Sequence, residues 1–374
     1  MRLAEKINGS RKTEKEYRNL KEELSYSSIK DFAEDLGLFY RKYILREIVK
    51  QKETAATING SLVHHILSGK EFEEKFHLFN SIKPTGMWGE LCDNLIERSL
   101  KSMNEFYEQQ DSFVTVFGDA LQKTQYNHKG ELVSFKERGG KGKESAAKSL
   151  QSVMSEFEGS NSEQYYKEYL ENIGKTLVSI PELEKAERLV KRLKESPVTS
   201  EIVNDETNEV IDVFRELPIL FYWENIKMKC MPDVLIVDNE HKTIKPYDYK
   251  SSWQDAEDVD NVYIKLKYYI QAAVYDMGIK MWTIEHNLEG YEVSPMAFLF
   301  IDTEGFREPF IYQLKRDDID RAWRGFTVRS WKYKGVTQML QEISWHIESG
   351  VWNQSHTEAQ NKGIMQSRIP YGSR

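Results

Sequence analysis

The chain has 374 residues, enough to bury a sizeable core in two or three lobes, or in one domain with a large insertion, at roughly 100 to 200 residues per domain. Its charged residues amount to 30% with a formal net charge of −8, and no apolar run approaches the roughly 20 residues that span a bilayer, so no membrane association is expected. The N-terminus is charged and lacks the apolar stretch of an export signal, and only Cys92 and Cys230 occur. Two distant cysteines support neither a disulfide framework nor a zinc or iron–sulfur cluster, and a cytoplasmic location is expected.

In chain order, Ser27 and Ser28 can cap a helix that carries Ile29, Phe32, Leu36, Phe39, Tyr40, Tyr43 and Ile44 near helical spacing, with a break at Gly37. A second helix is expected from about Thr57 to Leu67, bearing Gly60 and His64. Residues 1–68 are therefore an N-terminal helical region, and 69–200 read as a mainly helical insertion. Within the insertion, Lys136–Ser149 is rich in Gly, Lys and Ser and is expected to be a mobile loop. Pro181–Ser196 opens on a helix-start proline and places Leu183, Ala186, Leu189, Val190 and Leu193 on one face.

Strand signals dominate the next region, 201–315: Val213–Trp223, Ile226–Met231, Val234–Asp238 and Thr243–Lys250. A helix from Val262 to Gly278 follows, then strands over Pro295–Asp302 and Arg307–Leu314. This order predicts an α/β fold, a mixed β-sheet flanked by helices, interrupted by the large helical insertion. Residues 316–374 read as a C-terminal helical region with a polar tail from Asn353. Against the negative total, Lys315–Lys334 holds Lys315, Arg316, Arg321, Arg324, Arg329, Lys332 and Lys334, with Trp323, Phe326, Trp331 and Tyr333 among them. That interleaving suits a groove that tracks a nucleic-acid backbone, and it equally suits a solvated amphipathic helix with its aromatics in the core.

The chemistry concentrates between Met231 and Ser252. If the turn of the hairpin centres between Glu240 and His241, Asp233 and Asp248 face each other across the ladder, roughly 4.5 to 5.5 Å apart at Cβ. Two opposed carboxylates repel unless a divalent cation lies between them. Lys250, two residues past Asp248, shares its face. Pro246 implies an edge strand or a bulge, either of which shifts this register. Taken singly, Asp248 and Lys250 also fit a strand-end salt bridge, Glu216 a surface carboxylate, and His64 a structural imidazole with His65 as its rival. Gln271 and Tyr275 are i, i+4 neighbours presenting an amide and a phenol from one helix face, and Tyr275 fits a core position as well.

Taken in order, these residues resemble the PD-(D/E)xK nuclease superfamily and its RecB-type branch, in the arrangement of lambda-type and RecE-type phage exonucleases. The resemblance rests on Gly-x-x-x-His at Gly60–His64, Glu216, Asp233, Asp248-x-Lys250 and Gln271-x-x-x-Tyr275, and covers residues 25–67 and about 213–313. It implies a deoxyribonuclease in which Asp233 and Asp248 bind Mg²⁺ or Mn²⁺, Glu216 and His64 complete the site, and Lys250 positions and deprotonates the attacking water. It further implies that Gln271 and Tyr275 contact DNA; separately, the basic and aromatic composition of the later segment makes Arg321, Arg324, Arg329 and Lys332 candidate DNA contacts. The implied substrate is double-stranded DNA with free ends, and relatives act as homo-oligomers or beside a single-strand annealing protein. With two cysteines, the iron–sulfur relatives are not matched.

Overall fold

A computed structural model describes residues 7, 12–47, 54–104, 112–127, 129–137, 146–252 and 255–364. The chain divides into two units, Met1–Gly69 with Lys185–Arg374, and Lys70–Glu184.

The first unit contains strands β1 (Ile211–Arg215), β2 (Ile219–Trp223), β3 (Ile226–Cys230), β4 (Val234–Asp238), β5 (Thr243–Ser252), β6 (Glu292–Val293), β7 (Ala297–Asp302) and β8 (Phe310–Gln313). Six of them form a mixed sheet in the order β8-β7-β5-β4-β1, with β6 also pairing with β5. β1, β4 and β5 are antiparallel neighbours, β6 and β7 run parallel to β5, and β8 returns antiparallel to β7. The run AFLFID in β7 is buried at every position, as a central strand covered on both faces requires. β2 and β3 form a separate hairpin.

The β4–β5 register pairs Val234 with Tyr247 and Asp238 with Thr243, so its extension sets Asp233 opposite Asp248. Pro246 nevertheless sits in a central strand, without a bulge. Its even-numbered neighbours in β5 direct their backbone groups toward β6 and β7, as the bonds from Ser294 N to Ile244 O and Thr303 N to Ser252 O show. β6 pairs only with Thr243 and Ile244, and β7 begins pairing at Tyr247. The proline nitrogen therefore falls in the gap between two partners, where no donor is needed.

The longer helices of this unit include α1 (Tyr26–Glu34), α2 (Ala55–Leu67), α3 (Tyr268–Glu285), α4 (Arg316–Arg324) and α5 (Val336–Ser349). α1 is capped by Ser25 in a reciprocal pair with Ser28, not by Ser27 or Ser28, and the break after it falls at Asp35. α3 is separated from a short helix, Val259–Lys265, by Lys267 in a left-handed conformation, and it runs past Gly278 to Glu285. Its buried residues encircle it, and it packs with α1, α4 and α5 into one core with Phe214, Leu235, Val237, Ile244, Phe298 and Phe300 of the sheet.

Two expected elements differ. The single strand Val213–Trp223 is split into β1 and β2 because Glu216 adopts φ 46° and Pro218 cannot donate to a ladder. The basic segment is helical only to Arg324 and then forms a hairpin, β9 (Gly325–Val328) and β10 (Trp331–Lys334). Gly325 ends the helix at φ 90°, where a Cβ would lie 2.8 Å from the Tyr333 carbonyl oxygen.

In the second unit, helices Gly86–Asn104, Phe113–Gln125, Leu150–Phe157 and Asn161–Glu171 surround a core that includes Leu91, Leu95, Phe117 and Phe157. A two-stranded parallel pair joins Phe76–Leu78 to Thr176–Val178. The middle of the loop expected at Lys136–Ser149, residues 138–145, lies outside the described residues, as does the end of the tail from 365. Cys92 and Cys230 are free and buried. Among the described residues, no helix is long and apolar enough to cross a membrane.

Candidate active site

The β4–β5 ladder brings Asp233 and Asp248 together beside the N-terminal part of α3. Asp248 is 3% exposed. Its Oδ1 accepts a hydrogen bond from Gln271 Nε2 at 2.6 Å, and its Oδ2 forms an ion pair with Lys250. The Lys250 ammonium lies 4.8 Å from the Tyr268 ring centroid and 5.6 Å from that of Phe298, so aromatic faces cover it. Asp233 accepts from the Tyr249 N–H at 2.7 Å and lies 3.3 Å from His64 Nδ1. The other ring nitrogen, His64 Nε2, is 3.1 Å from the Tyr249 carbonyl oxygen, so the imidazole is tied to both strands of the hairpin. Gly60 makes that approach possible, because a Cβ there would be 3.1 Å from Ser251 Oγ.

The electrostatics follow from burying two acids side by side. Burial and the charge of Asp233 push the Asp248 carboxyl up to about 6, against the pull of Lys250 and His64. Burial opposes ionisation of Asp233 too, but His64, Lys250 and the Tyr249 N–H hold it below the usual carboxylate range. Burial disfavours the charged form of Lys250, yet Asp248, Tyr268 and Asp233 raise it above an ordinary lysine. Lys250 is thereby set against Asp248 as its ion-pair partner.

Two clefts meet at Asp233. One is lined by His64, Leu67, Ser68, Arg215, Glu216, Asp233 and Tyr249. The other, of about 530 Å³, is lined by Arg18, Ser25, Tyr26, Ser27, Lys42, Lys229, Tyr275 and Asp233, among others. Tyr275 is held well above the usual phenol range by burial and then by Asp248, and keeps its proton as a donor. Three cations line this cleft, each already engaged: Arg18 with Glu14 at 2.5 Å, Lys42 with Asp31 at 2.7 Å, and Lys229 on the Tyr17 and Leu20 carbonyls.

The structure thus places His64, Glu216 and Asp233 on one cleft, and Asp248, Lys250 and Gln271 in one hydrogen-bonded group beside it. Gln271 is 2% exposed and holds a carboxylate. Arg321, Arg324, Arg329 and Lys332 are exposed on α4 and the β9–β10 hairpin, outside both clefts, with Arg321 paired to Asp317 at 2.7 Å. Sequence reasoning missed Arg215, Arg18, Ser25 and Lys42. Arg215 was adjacent to a chosen acid, but the others reach the site only through the packing of the N-terminal segment on α3 and β3.

Among the described residues, no three His, Cys, Asp or Glu side chains are gathered in a way that would hold an ion. The donor set suits a hard divalent cation all the same: two opposed carboxylates, Asp248 buried and Asp233 half-buried, the former raised by burial and by the charge of the latter, are oxygen ligands of the kind Mg²⁺ and Mn²⁺ take. Millimolar Mg²⁺ is accordingly expected to raise the Tm of the protein, by the equivalent of about 2.7 kcal/mol at a hundredfold its Kd. Asp233→Ala should abolish that rise in a thermal melt, and an equal rise in the variant would exclude Asp233 as a ligand.

No family model matches the chain, and no curated protein matches it. Among solved structures, the crystal structure of a "putative exonuclease" from Eubacterium rectale is similar at a TM-score of 0.44 and 13% identity, covering 99% of this chain and 96% of that one.

Proposed function

We propose that the chain is a divalent-metal-dependent deoxyribonuclease that hydrolyses phosphodiester bonds from DNA ends, in phage-type recombination or end processing. The observation that carries this reading is the buried Asp233–Asp248–Lys250 group placed beside a cleft lined by Arg18, Lys42 and Lys229. Carboxylates that need a cation, next to basic and hydroxyl groups, suit a phosphate diester brought to a metal.

Asp233 and Asp248 would hold the ion, with His64 and Glu216 at its margin. When bound, Mg²⁺ or Mn²⁺ supplies Lewis-acid stabilisation of charge on the phosphate and a more acidic water. Gln271 fixes the Asp248 carboxylate through its amide at Oδ1, while Oδ2 pairs with Lys250, so a cation there would share or replace the lysine's contact. His64, tied to Asp233 and to the Tyr249 carbonyl, orients the opposing carboxylate. Lys250, ion-paired to Asp248, would position and deprotonate the attacking water, or serve as an electrostatic clamp if it keeps its proton. Tyr275 offers a hydroxyl proton to the same cleft.

The test is purified protein with 5′- and 3′-labelled linear duplex and covalently closed circles, in Mg²⁺ or EDTA. Linear DNA should be degraded only with Mg²⁺, and circles spared. Efficient cutting of closed circles would make the protein an endonuclease. Tight binding to DNA ends without any hydrolysis would make it an end-binding or recombination partner protein.

A further inference from the structure

Between Gly325 and Gly335 the chain reads GFTVRSWKYKG, with Arg329, Lys332 and Lys334 and no acidic residue. Pairing of Phe326 with Tyr333 and of Val328 with Trp331 puts these four side chains on one face of the hairpin. At the root, Phe326 and Tyr333 stack with centroids 5.1 Å apart, and Phe326 meets Tyr269 of α3 edge-on at 5.1 Å. Toward the tip the same face runs past its support, and Trp331 is left 74% exposed. Arg329 and Ser330 form the turn with φ 46° and 73°, the paired positive values of a tight two-residue turn, which fixes Arg329 at the tip. Lys334 is taken up by Glu342 at 2.6 Å, while Arg329 and Lys332 are exposed.

Two of the three aromatics of this segment are thus accounted for by packing: Phe326 and Tyr333 on Tyr269. Trp331 is an exposed indole in a segment whose charge is all positive. That combination suits a polyanion carrying flat apolar groups, since every nucleobase offers a face to stack and every phosphate a charge to meet. A base inside a duplex already has both faces covered, so the fitting partner is an unpaired base.

We propose that Trp331 stacks on an unpaired nucleobase of the DNA substrate, at an overhang or frayed end, with Arg329 and Lys332 on the flanking phosphates. This rests on the nuclease reading and names the part of the substrate that the hairpin holds. Tyr269, which seats the hairpin, adjoins Tyr268, whose ring covers Lys250, so one helix carries both the platform's support and the cover of the reacting group.

Fluorescence anisotropy of labelled DNA, with Ca²⁺ replacing Mg²⁺ and separately in EDTA, tests it on duplexes with single-stranded overhangs and on blunt duplexes. Trp331→Ala should weaken binding of the overhang DNA by roughly 5- to 150-fold and that of blunt DNA far less, and Trp331→Phe should restore most of the loss. The slope of log K against log salt should be unchanged by Trp331→Ala and shallower by about 0.7 in each of Arg329→Ala and Lys332→Ala. Unchanged affinity of Trp331→Ala for overhangs would overturn the proposal, as would an equal loss on blunt DNA. A change of oligomeric state with unchanged DNA affinity would assign Trp331 to a contact between copies of the chain, and also overturns it. Trp331-dependent overhang binding by a protein that hydrolyses nothing in Mg²⁺ would leave this inference standing and remove the nuclease reading.

Discussion

Asp248→Ala and Lys250→Ala are each expected to reduce Mg²⁺-dependent hydrolysis of linear duplex DNA by about 10³-fold, while DNA binding measured without Mg²⁺ stays within a few fold. For Asp248 the argument is that its carboxylate is the buried half of the pair that calls for a cation, and the several kcal/mol of transition-state charge stabilisation from the ion depart with it. For Lys250, loss of a positioned base or counter-charge costs about 10² to 10⁴ in rate. The two side chains are ion-paired, so their effects should not add, and the double variant should resemble the worse single one. A purely structural salt bridge predicts something else: activity would fall only as far as folding does. Lys250→Met, which keeps the stem packed between Tyr268 and Phe298, separates the two, because it should fold with a near-native Tm and still not cleave. Cleavage by Lys250→Met at the wild-type rate would end the assignment.

Gly278→Ala is expected to destabilise the protein by about 1 to 3 kcal/mol, and Gly278→Val by more. In an exposed helix interior the Ala change would gain up to about 1 kcal/mol from propensity, so the predicted sign is itself the test. A Cβ at position 278 would lie 2.5 Å from Cys230 Sγ and 2.8 Å from Phe221 Cε1, both side chains being buried. These belong to β2 and β3, so the glycine is what lets α3 sit directly on that hairpin. Urea unfolding of the two variants measures the loss. Cys230→Ala combined with Gly278→Ala should recover part of it, giving a favourable coupling in a double-mutant cycle. An unchanged or raised midpoint for Gly278→Ala would mean that the two layers are not in close contact.

The hairpin at the centre of the site was legible in the sequence because two local rules agree there. A polar turn of known centre fixes which residues oppose, and a period of two fixes which face they share. Both depend on short-range geometry, so Asp233, Asp248 and Lys250 could be placed without tertiary information. The alternation of strands and helices was legible from hydrophobic periodicity in the same local way. The basic segment was not, because Arg316 to Lys334 has cations and aromatics at spacings a helix tolerates. The decision for a hairpin rests on backbone angles at Gly325, Arg329 and Ser330, two of them positions where positive φ is not suggested by residue type. The pairing of Gln271 with Asp248 was likewise out of reach, since it depends on how α3 packs against the sheet, which no local pattern fixes.

Pro246 has a further consequence, in the fidelity of folding. Parallel neighbours in a sheet can slide by two residues and still bury the same faces, an error that alternation alone does not prevent. Here a slide of β7 toward the start of β5 would set a carbonyl of the incoming strand against a nitrogen that has no hydrogen to give, forfeiting a bond in a buried strand. The proline acts as a stop that rejects the misaligned pairing. Because Asp248 is held opposite Phe298 by that stop, the proline also protects the spacing between the carboxylate and the helix above it.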